Sequence, residues 1–420
     1  MSEFPGVETF PLEGPDGIRI LLHRKRNARG APVLLLHGAS ARHDTFKIPA
    51  ASAREPRSLM DWLADRGYEP WLLDWRGSGL VLDELGPEGV RAKSRCFDLD
   101  QAAQHDIPAA LEYIRRLREP PLGAVGHCMG AAVLAQAIAS GSVTREQHGL
   151  TRVVLLTIGL FYEPPLDSRL KVQDHILERL LDERTDVHAV DPRQPFPEQL
   201  QKLYAKWPDA LRPHPKESKS SVHEMCARLA FMYGIPYLER NLVEEIHGAQ
   251  EDRAELPKQF GPIPLRMYVH AARNSRRGWA ASYESENEFD LMEPQQKETE
   301  PSNEKASADV SARERFDRLD RVTLITGDRN QLWHRDSIDR MYEWLTRGTR
   351  RPSLRDKYKK VIKRGYGHQD LLWGRDASRD VFSDILKGLT IPLRRDEARE
   401  QARDRRKQPG AYPDSPRRRD

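Results

Sequence analysis

Residues 122–139 read LGAVGHCMGAAVLAQAIA, and this stretch decides the fold. Leu122 to Val125 is a short apolar segment of strand type, and Ala131 to Ala139 is an alanine-rich run with helical character. Between them lies Gly126-His127-Cys128-Met129-Gly130, a GxCxG turn. A strand that turns sharply into a helix displays the central residue of the turn on a strained backbone. A side chain larger than hydrogen at either flanking position would collide with its neighbours. The small residues of the helix suit close packing on a sheet, and the group displayed is the thiol of Cys128.

Working outward, strands and helices alternate as in a mostly parallel sheet covered on both faces, an α/β class of fold. Gly17 to His23 reads as an early half-exposed strand, and Ala31 to Leu36 as a buried strand ending at His37 and Gly38. Ser58 to Arg66 is amphipathic at helical spacing, Glu69 to Asp74 is a strand, Gln101 to Leu117 a helix, and Thr151 to Ile158 another buried strand. Residues 1–158 therefore form the first part of the core. Residues 159–283 have helical periodicity, irregular prolines and many aromatic and methionine residues, among them Met225, Phe231, Met232, Tyr233, Tyr237 and Tyr268. They read as a helical cap inserted above the sheet. Residues 284–315 are polar and read as a flexible insertion. The core resumes over 316–393, with strands at Arg321 to Thr326 and Tyr358 to Lys363 and a closing helix at Asp380 to Leu389. Residues 394–420 form an arginine-rich tail with few apolar residues, expected to be unfolded.

Composition excludes several classes. At 420 residues and 38% hydrophobic content the chain can bury one large core with an inserted subdomain. Charged residues make up 31% but the net charge is only +4, so no general attraction to nucleic acid is implied. Three cysteines, Cys96, Cys128 and Cys226, argue against a disulfide framework and for a reducing compartment. The N-terminus lacks the pattern of a signal peptide, and no apolar run reaches the length of a membrane span, so a soluble, cytoplasmic protein is expected. No His, Cys and carboxylate cluster stands at metal-ligand spacing, and the glycines match neither a phosphate loop nor a dinucleotide fingerprint. No metal or cofactor is therefore expected.

The segments LLLHGAS (34–40), LLDWRGSG (72–79), GHCMGA (126–131), LITGDRN (324–330) and GYGHQDLLWGRDASRDVF (365–382) together resemble the α/β-hydrolase superfamily. Within it the chain is similar, over about residues 10 to 390, to the cysteine-elbow hydrolase domain found alone or fused behind cholesterol-oxidase-like flavoproteins. Polyhydroxyalkanoate synthases and dienelactone hydrolases are more distant relatives that share GxCxG. This chain lacks the second glycine those families show after the elbow and the long N-terminal domain of the synthases.

The resemblance implies a set of roles. Cys128 is the candidate nucleophile, with Gly126 and Gly130 shaping its elbow. His368, just after the last strand, stands where the base belongs, and the chain order of nucleophile, acid and histidine is kept. The backbone amides of Met129 and Ala39 would form the oxyanion hole, and His37 would shape that loop. For the group that orients His368 two residues compete, Asp328 directly after Gly327 and Asn330 three residues after it. A carboxylate is the stronger orienter, which favours Asp328. An amide suffices if cysteine and histidine rest as thiolate and imidazolium. Iodoacetamide is expected to label Cys128 ahead of Cys96 and Cys226.

Other polar residues have ordinary structural readings. Cys96 and Cys226 lack a glycine turn or a partner base. His127 is expected to point away from the site, and His105 and His334 to lie at the surface or at helix ends. Asp106, before Ile107 and Pro108, reads as a helix N-cap, and Asp74 and Arg76 as anchors of the loop after their strand. The expected activity is cleavage of a carboxylic ester or thioester, small or lipid-like, through an acyl-cysteine. The alternatives are acyl transfer to an alcohol or thiol, as in polyester synthesis, and a non-catalytic binding protein of the same fold.

Overall fold

Five of the eight strands of the main sheet hold three or more leucine, isoleucine, valine or tryptophan residues, and the central ones are buried on both faces. That is the demand a parallel sheet covered by helices places on a sequence. The strands are β1 (Val7–Glu13), β2 (Arg19–Lys25), β3 (Ala31–Leu36), β4 (Tyr68–Asp74), β5 (Leu122–His127), β6 (Leu150–Leu156), β9 (Arg321–Gly327) and β10 (Tyr358–Lys363); β7 (Ala189–Val190) and β8 (Ile263–Pro264) form a separate short antiparallel pair. The computed structural model describes residues 4–48, 57–173, 175, 178, 187–206, 221–233, 259–284, 290–291, 311–347, 357–374 and 376–390.

The sheet runs β1-β2-β4-β3-β5-β6-β9-β10, parallel from β4 to β10 and antiparallel at β1 and β2. From β3 the chain moves outward to β4 on one side and then returns to place β5 on the other. The carboxyl ends of β3 and β5 thus flank the point where strand order reverses, the place where an open α/β sheet leaves a crevice. Leu36 pairs with Gly126, so His37-Gly38 and His127-Cys128 leave the sheet at the same level. The helix Met129–Ser140 that follows β5 is buried along residues 129–139. Its alanines leave room for this, and it has no polar face because no side of it meets water.

Strand Ala31–Leu36 and strand Tyr358–Lys363 lie where the sequence places them, and the others shift by one or two residues. The first strand of the sheet, Val7–Glu13, carries a mixed burial pattern at an edge and was not among the expected strands. Gln101 to Leu117 is not one regular helix: Leu99–Gln101 opens it, Ala102–Asp106 is wound as a π-helix, and Ile107–Leu117 completes it. Asp106 consequently makes no side-chain cap. Its carboxylate instead accepts from the Arg76 backbone N–H at 2.8 Å and from the guanidinium at 2.7 Å, a buried bidentate pair that anchors the loop after β4.

Between β6 and β9 the described part of the insertion contains helices Leu166–Gln173, Glu198–Ala205, Ser221–Tyr233 and Leu265–Arg277. It is tied to the loops at the carboxyl ends of the strands: Gly261 N donates to Ser40 O at 2.7 Å, and a Cβ on Gly79 would lie 2.6 Å from Gly261 Cα. Of the polar segment expected to be flexible, residues 285–289 and 292–310 lie outside the described residues. Its end is ordered, since Ser311 and Glu314 form a reciprocal capping box on the helix Ala312–Asp317. Residues 1–389 make one unit, and the basic tail 394–420 lies outside the described residues, as does Tyr237. Among the described residues no helix is long and apolar enough to cross a membrane.

Candidate active site

Cys128 ends β5 and begins the following helix with φ +56° and ψ −131°, a region that residues with a side chain rarely occupy. The glycines on either side permit it. A Cβ on Gly126 would stand 2.5 Å from Ala131 Cα, and one on Gly130 would stand 2.4 Å from the His37 carbonyl oxygen. Both approaches are backbone against backbone and leave no room to yield. Gly38 is equally confined, since its Cβ would lie 2.9 Å from Cys128 Cβ and 3.3 Å from Sγ. The loop after β3 therefore runs directly against the cysteine, and the backbone N–H groups of Met129 and Ala39 both point at its sulfur.

That loop is held from behind by one buried carboxylate. Asp74 Oδ1 accepts from Ser78 Oγ at 2.7 Å, from the His43 backbone N–H at 2.9 Å and from His37 Nε2 at 3.2 Å. Its Oδ2 meets His43 Nδ1 at 2.6 Å and His23 Nε2 at 2.9 Å. Despite complete burial, these donors hold Asp74 well below the usual carboxylate range. His37 Nδ1 donates to Gly38 O at 2.7 Å, so this ring braces the loop that presents the Ala39 amide.

His368 is fully buried in the turn after β10. Its Nδ1 lies 3.1 Å from Asn330 Oδ1. The same oxygen accepts from the backbone N–H groups of Leu332 at 3.1 Å and Trp333 at 3.2 Å, which fixes it as the amide oxygen. Nδ1 therefore carries the hydrogen and Nε2 is the basic nitrogen. Asp328, which the sequence favoured as orienter, is exposed and accepts from Gly365 N at 2.7 Å. The difference is a matter of turn geometry. Asn330 N donates back to Gly327 O at 3.3 Å, and this turn folds residue 330 over the end of the strand while residue 328 faces outward.

His127 also departs from expectation. Its Nε2 donates to the His368 carbonyl at 3.1 Å and its ring lies 4.9 Å from the His368 ring, so it ties the elbow to the backbone of His368. Burial lowers the His127 imidazole to about 4, and burial, with His127 close by, holds His368 well below its ordinary value. Burial pushes the Cys128 thiol up to about 12, although the Met129, Trp333 and Ala39 N–H groups act against it. Burial thus favours a neutral thiol and a neutral imidazole over the thiolate and imidazolium that the residue types allow. Cys96 is half-buried and its carbonyl accepts from Arg76, whereas the side chain of Cys226, in the helix Ser221–Tyr233, lies outside the described set. His334 is 44% exposed, as expected of a surface histidine.

These shifts link stability to pH. His127 binds its proton only below about 4 in the folded chain and at 6.5 when unfolded. The unfolded state takes up protons first as pH falls, so stability should be full above 6.5 and decline down to about 4, by about 3 kcal/mol for this one group. Thermal midpoints measured across that window should show the decline, and His127→Gln, which keeps a donor for the His368 carbonyl, should show a shallower one.

Tertiary packing also assembles groups that sequence reading missed. Trp333 and Tyr162 are buried near Cys128, Asn274 is buried beside Tyr162, and none of the three has a motif around it. Two sets of potential metal ligands meet, His23 with His43 and Asp74, and Asp98 with Asp100 and His270, each with its ligating atoms within 4.8 Å. In the second set His270 accepts from Leu99 N at 3.2 Å and donates to Ala281 O at 2.7 Å, while Asp100 accepts from Gln136 and from Tyr283 N. Both sets are engaged in hydrogen bonds that join distant parts of the chain.

Residues 33–385 match the model of the alpha/beta hydrolase family. Lipase member K of Homo sapiens is 29% identical over 137 residues, covering 30% of this chain and 33% of that protein. Gastric triacylglycerol lipase of Bos taurus is 26% identical over 166 residues, covering 38% of this chain and 40% of that protein. The chain thus spans only about a third to two fifths of these lipases. Among solved structures an epoxide hydrolase from Vigna radiata has a TM-score of 0.49 at 16% identity, covering 92% of this chain and all of that one. A family model matched over most of the length, on a sheet of this order, makes this chain a member of the alpha/beta hydrolase family.

Proposed function

We propose that the protein cleaves a carboxylic ester or thioester through an acyl-cysteine intermediate on Cys128. The observation that carries this reading is the convergence of the Met129 and Ala39 amides on the sulfur of the elbow residue, in a chain whose buried His368 has its tautomer set by Asn330. In the first step the thiol proton passes to His368 Nε2 as sulfur attacks the carbonyl carbon, and the developing oxyanion receives hydrogen bonds from the two amides. Collapse breaks the bond to the leaving alkoxide or thiolate, which takes the proton from His368. A water that gives its proton to His368 then attacks the acyl carbon, and the acid departs with the thiol restored.

Because thiol and imidazole both rest neutral, the charge separation arises only on the way to the transition state, where the fixed amides can stabilise it. Lipid-like acyl groups fit this reading, in keeping with the partial similarity to animal lipases. A free thiol as nucleophile suits a reducing compartment. The insertion over 159–283, tied to the loops around the crevice, is proposed to cover the acyl group as a cap.

A second reading, transfer of the acyl group to an alcohol or thiol, is favoured by the burial of both Cys128 and His368, which limits access of water. Intact-protein mass spectrometry after incubation with a panel of p-nitrophenyl esters and acyl-CoA thioesters tests both. An acyl adduct that maps to Cys128 supports the mechanism, and product that forms only with an added alcohol selects transfer over hydrolysis. No adduct with any member of the panel, alongside ester turnover, would place the nucleophile elsewhere.

A further inference from the structure

We propose that the site takes an acyl group bearing a neutral acceptor oxygen, a hydroxyl or a keto group near the scissile carbonyl, held by the Trp333 indole N–H, the Tyr162 hydroxyl and the Asn274 side-chain amide. The proposal deepens the reading of Cys128 as nucleophile and rests on it. All three side chains are at least nine-tenths buried, at 8%, 0% and 0% exposure respectively. Trp333 Nε1, Tyr162 Oη and Asn274 Nδ2 have no hydrogen-bond partner among the described residues. Buried donors left in this condition are rare in native proteins, and each forfeits about the free energy of a lost hydrogen bond.

The three groups form a path that begins at the reacting atom. Trp333 Nε1 faces the Cys128 sulfur without reaching hydrogen-bonding geometry. Its ring meets Tyr162 edge to face, with centroids 5.4 Å apart and planes at 82°. The Tyr162 hydroxyl in turn faces the Asn274 amide. Asn274 Oδ1 accepts from Ala281 N at 3.2 Å, so the free end of that amide is its donor end. Burial and the nearby Asp100 carboxylate push the Tyr162 hydroxyl up, keeping it protonated and able to donate.

Each donor is also held in place. Trp333 N is bonded to Asn330 Oδ1, Tyr162 N donates to Gly278 O at 3.1 Å, and Asn274 lies within the helix Leu265–Arg277. A plain hydrocarbon chain would leave every one of these donors unanswered, whereas an oxygen on the chain would accept from one or two of them. Asp100 argues against a carboxylate there, because a second negative charge would be repelled. Sites built to hydrogen-bond an oxygen discriminate strongly against analogues that lack it.

The test compares CoA thioesters of equal length, butanoyl against 3-oxobutanoyl and the 2-, 3- and 4-hydroxybutanoyl isomers. At least one oxygenated substrate should exceed butanoyl in kcat/KM by roughly tenfold or more, and Tyr162→Phe and Trp333→Phe should each bring that ratio toward one. The ratio is the readout because Trp333→Phe, beside the thiol, is free to slow every substrate alike. Tyr162→Phe removes a single oxygen and carries the test if the tryptophan variant does not fold. Equal rates for all members, or a preference that Tyr162→Phe leaves intact, would overturn the proposal. Calorimetric binding of the same thioesters to Cys128→Ala separates it from the catalytic reading. Selective binding without turnover in the wild type would sink the nucleophile assignment and keep this one, and turnover without selectivity would do the opposite.

Discussion

Cys128→Ala should retain the fold and lose ester turnover by at least about a thousandfold, the scale seen when a covalent nucleophile is removed. The fold should survive because alanine meets the same backbone demand at φ +56° as cysteine, and the change removes a single buried atom. A change in the thermal midpoint equivalent to less than about 1 kcal/mol is expected. Cys128→Ser is the sharper variant. A serine hydroxyl depends fully on its base, and an amide at Asn330 stabilises the imidazolium less than a carboxylate would, so the loss should still be on the order of a hundredfold or more. Steady-state rates on a p-nitrophenyl ester measure both, and an alanine variant with wild-type rates would remove Cys128 from the mechanism. Labelling by iodoacetamide should follow a different order from that suggested by residue types. The Cys128 thiol is buried and its pKa is raised, while Cys96 is half-buried, so at neutral pH Cys96 should react ahead of Cys128, and Cys128 only as the pH rises.

The second large effect is expected at the base and its partner. His368→Ala should lower acylation by roughly a hundredfold to ten-thousandfold, the usual contribution of a positioned general base. Asn330→Ala should be severe in a different way. It frees the imidazole from its tautomer and also strands the N–H groups of Leu332 and Trp333, so both kcat and the thermal midpoint should fall, the latter by about 1–3 kcal/mol. Asn330→Asp keeps an oxygen at the same place for all three donors and should restore stability and most of the rate. Asp328→Asn should stay within about twofold, because among the described residues that exposed side chain serves only the Gly365 amide. Stopped-flow acylation rates on the four variants rank the two residues. A larger loss at Asp328 than at Asn330 would reverse the assignment.

Under the proposed mechanism, the burial of this pair sets the chemistry apart from that of an exposed thiolate enzyme. With His368 held far below its ordinary value, the base stays neutral well into acid, and with the thiol near 12 it stays protonated well into alkali. The work of separating charge falls on groups already in position, the two amides and the Asn330 oxygen. Their rigidity comes from elsewhere: from Asp74 and its three histidines behind the Ala39 loop, and from the turn that joins Asn330 to Trp333.

What the sequence determined by itself is local. The apolar runs of β3 and β5, the glycines at 126 and 130 and the alanines after them specify strand, turn and helix within a few residues of chain, so the fold, the elbow and the positions of Ala39 and His368 could be read without coordinates. Strand Val7–Glu13 escaped because an edge strand buries too little to show a pattern. The choice between Asp328 and Asn330 rested on whether a turn closes back on Gly327, which two residues of sequence do not state. The role of His127 depended on a partner 241 positions away, and Trp333, Tyr162 and Asn274 meet only because the insertion returns to the end of the sheet. Only tertiary structure bears on the charge state of the site. Residue types allowed a thiolate and an imidazolium, but a charge is favoured by the water around it, and packing buries both Cys128 and His368, which favours their neutral forms.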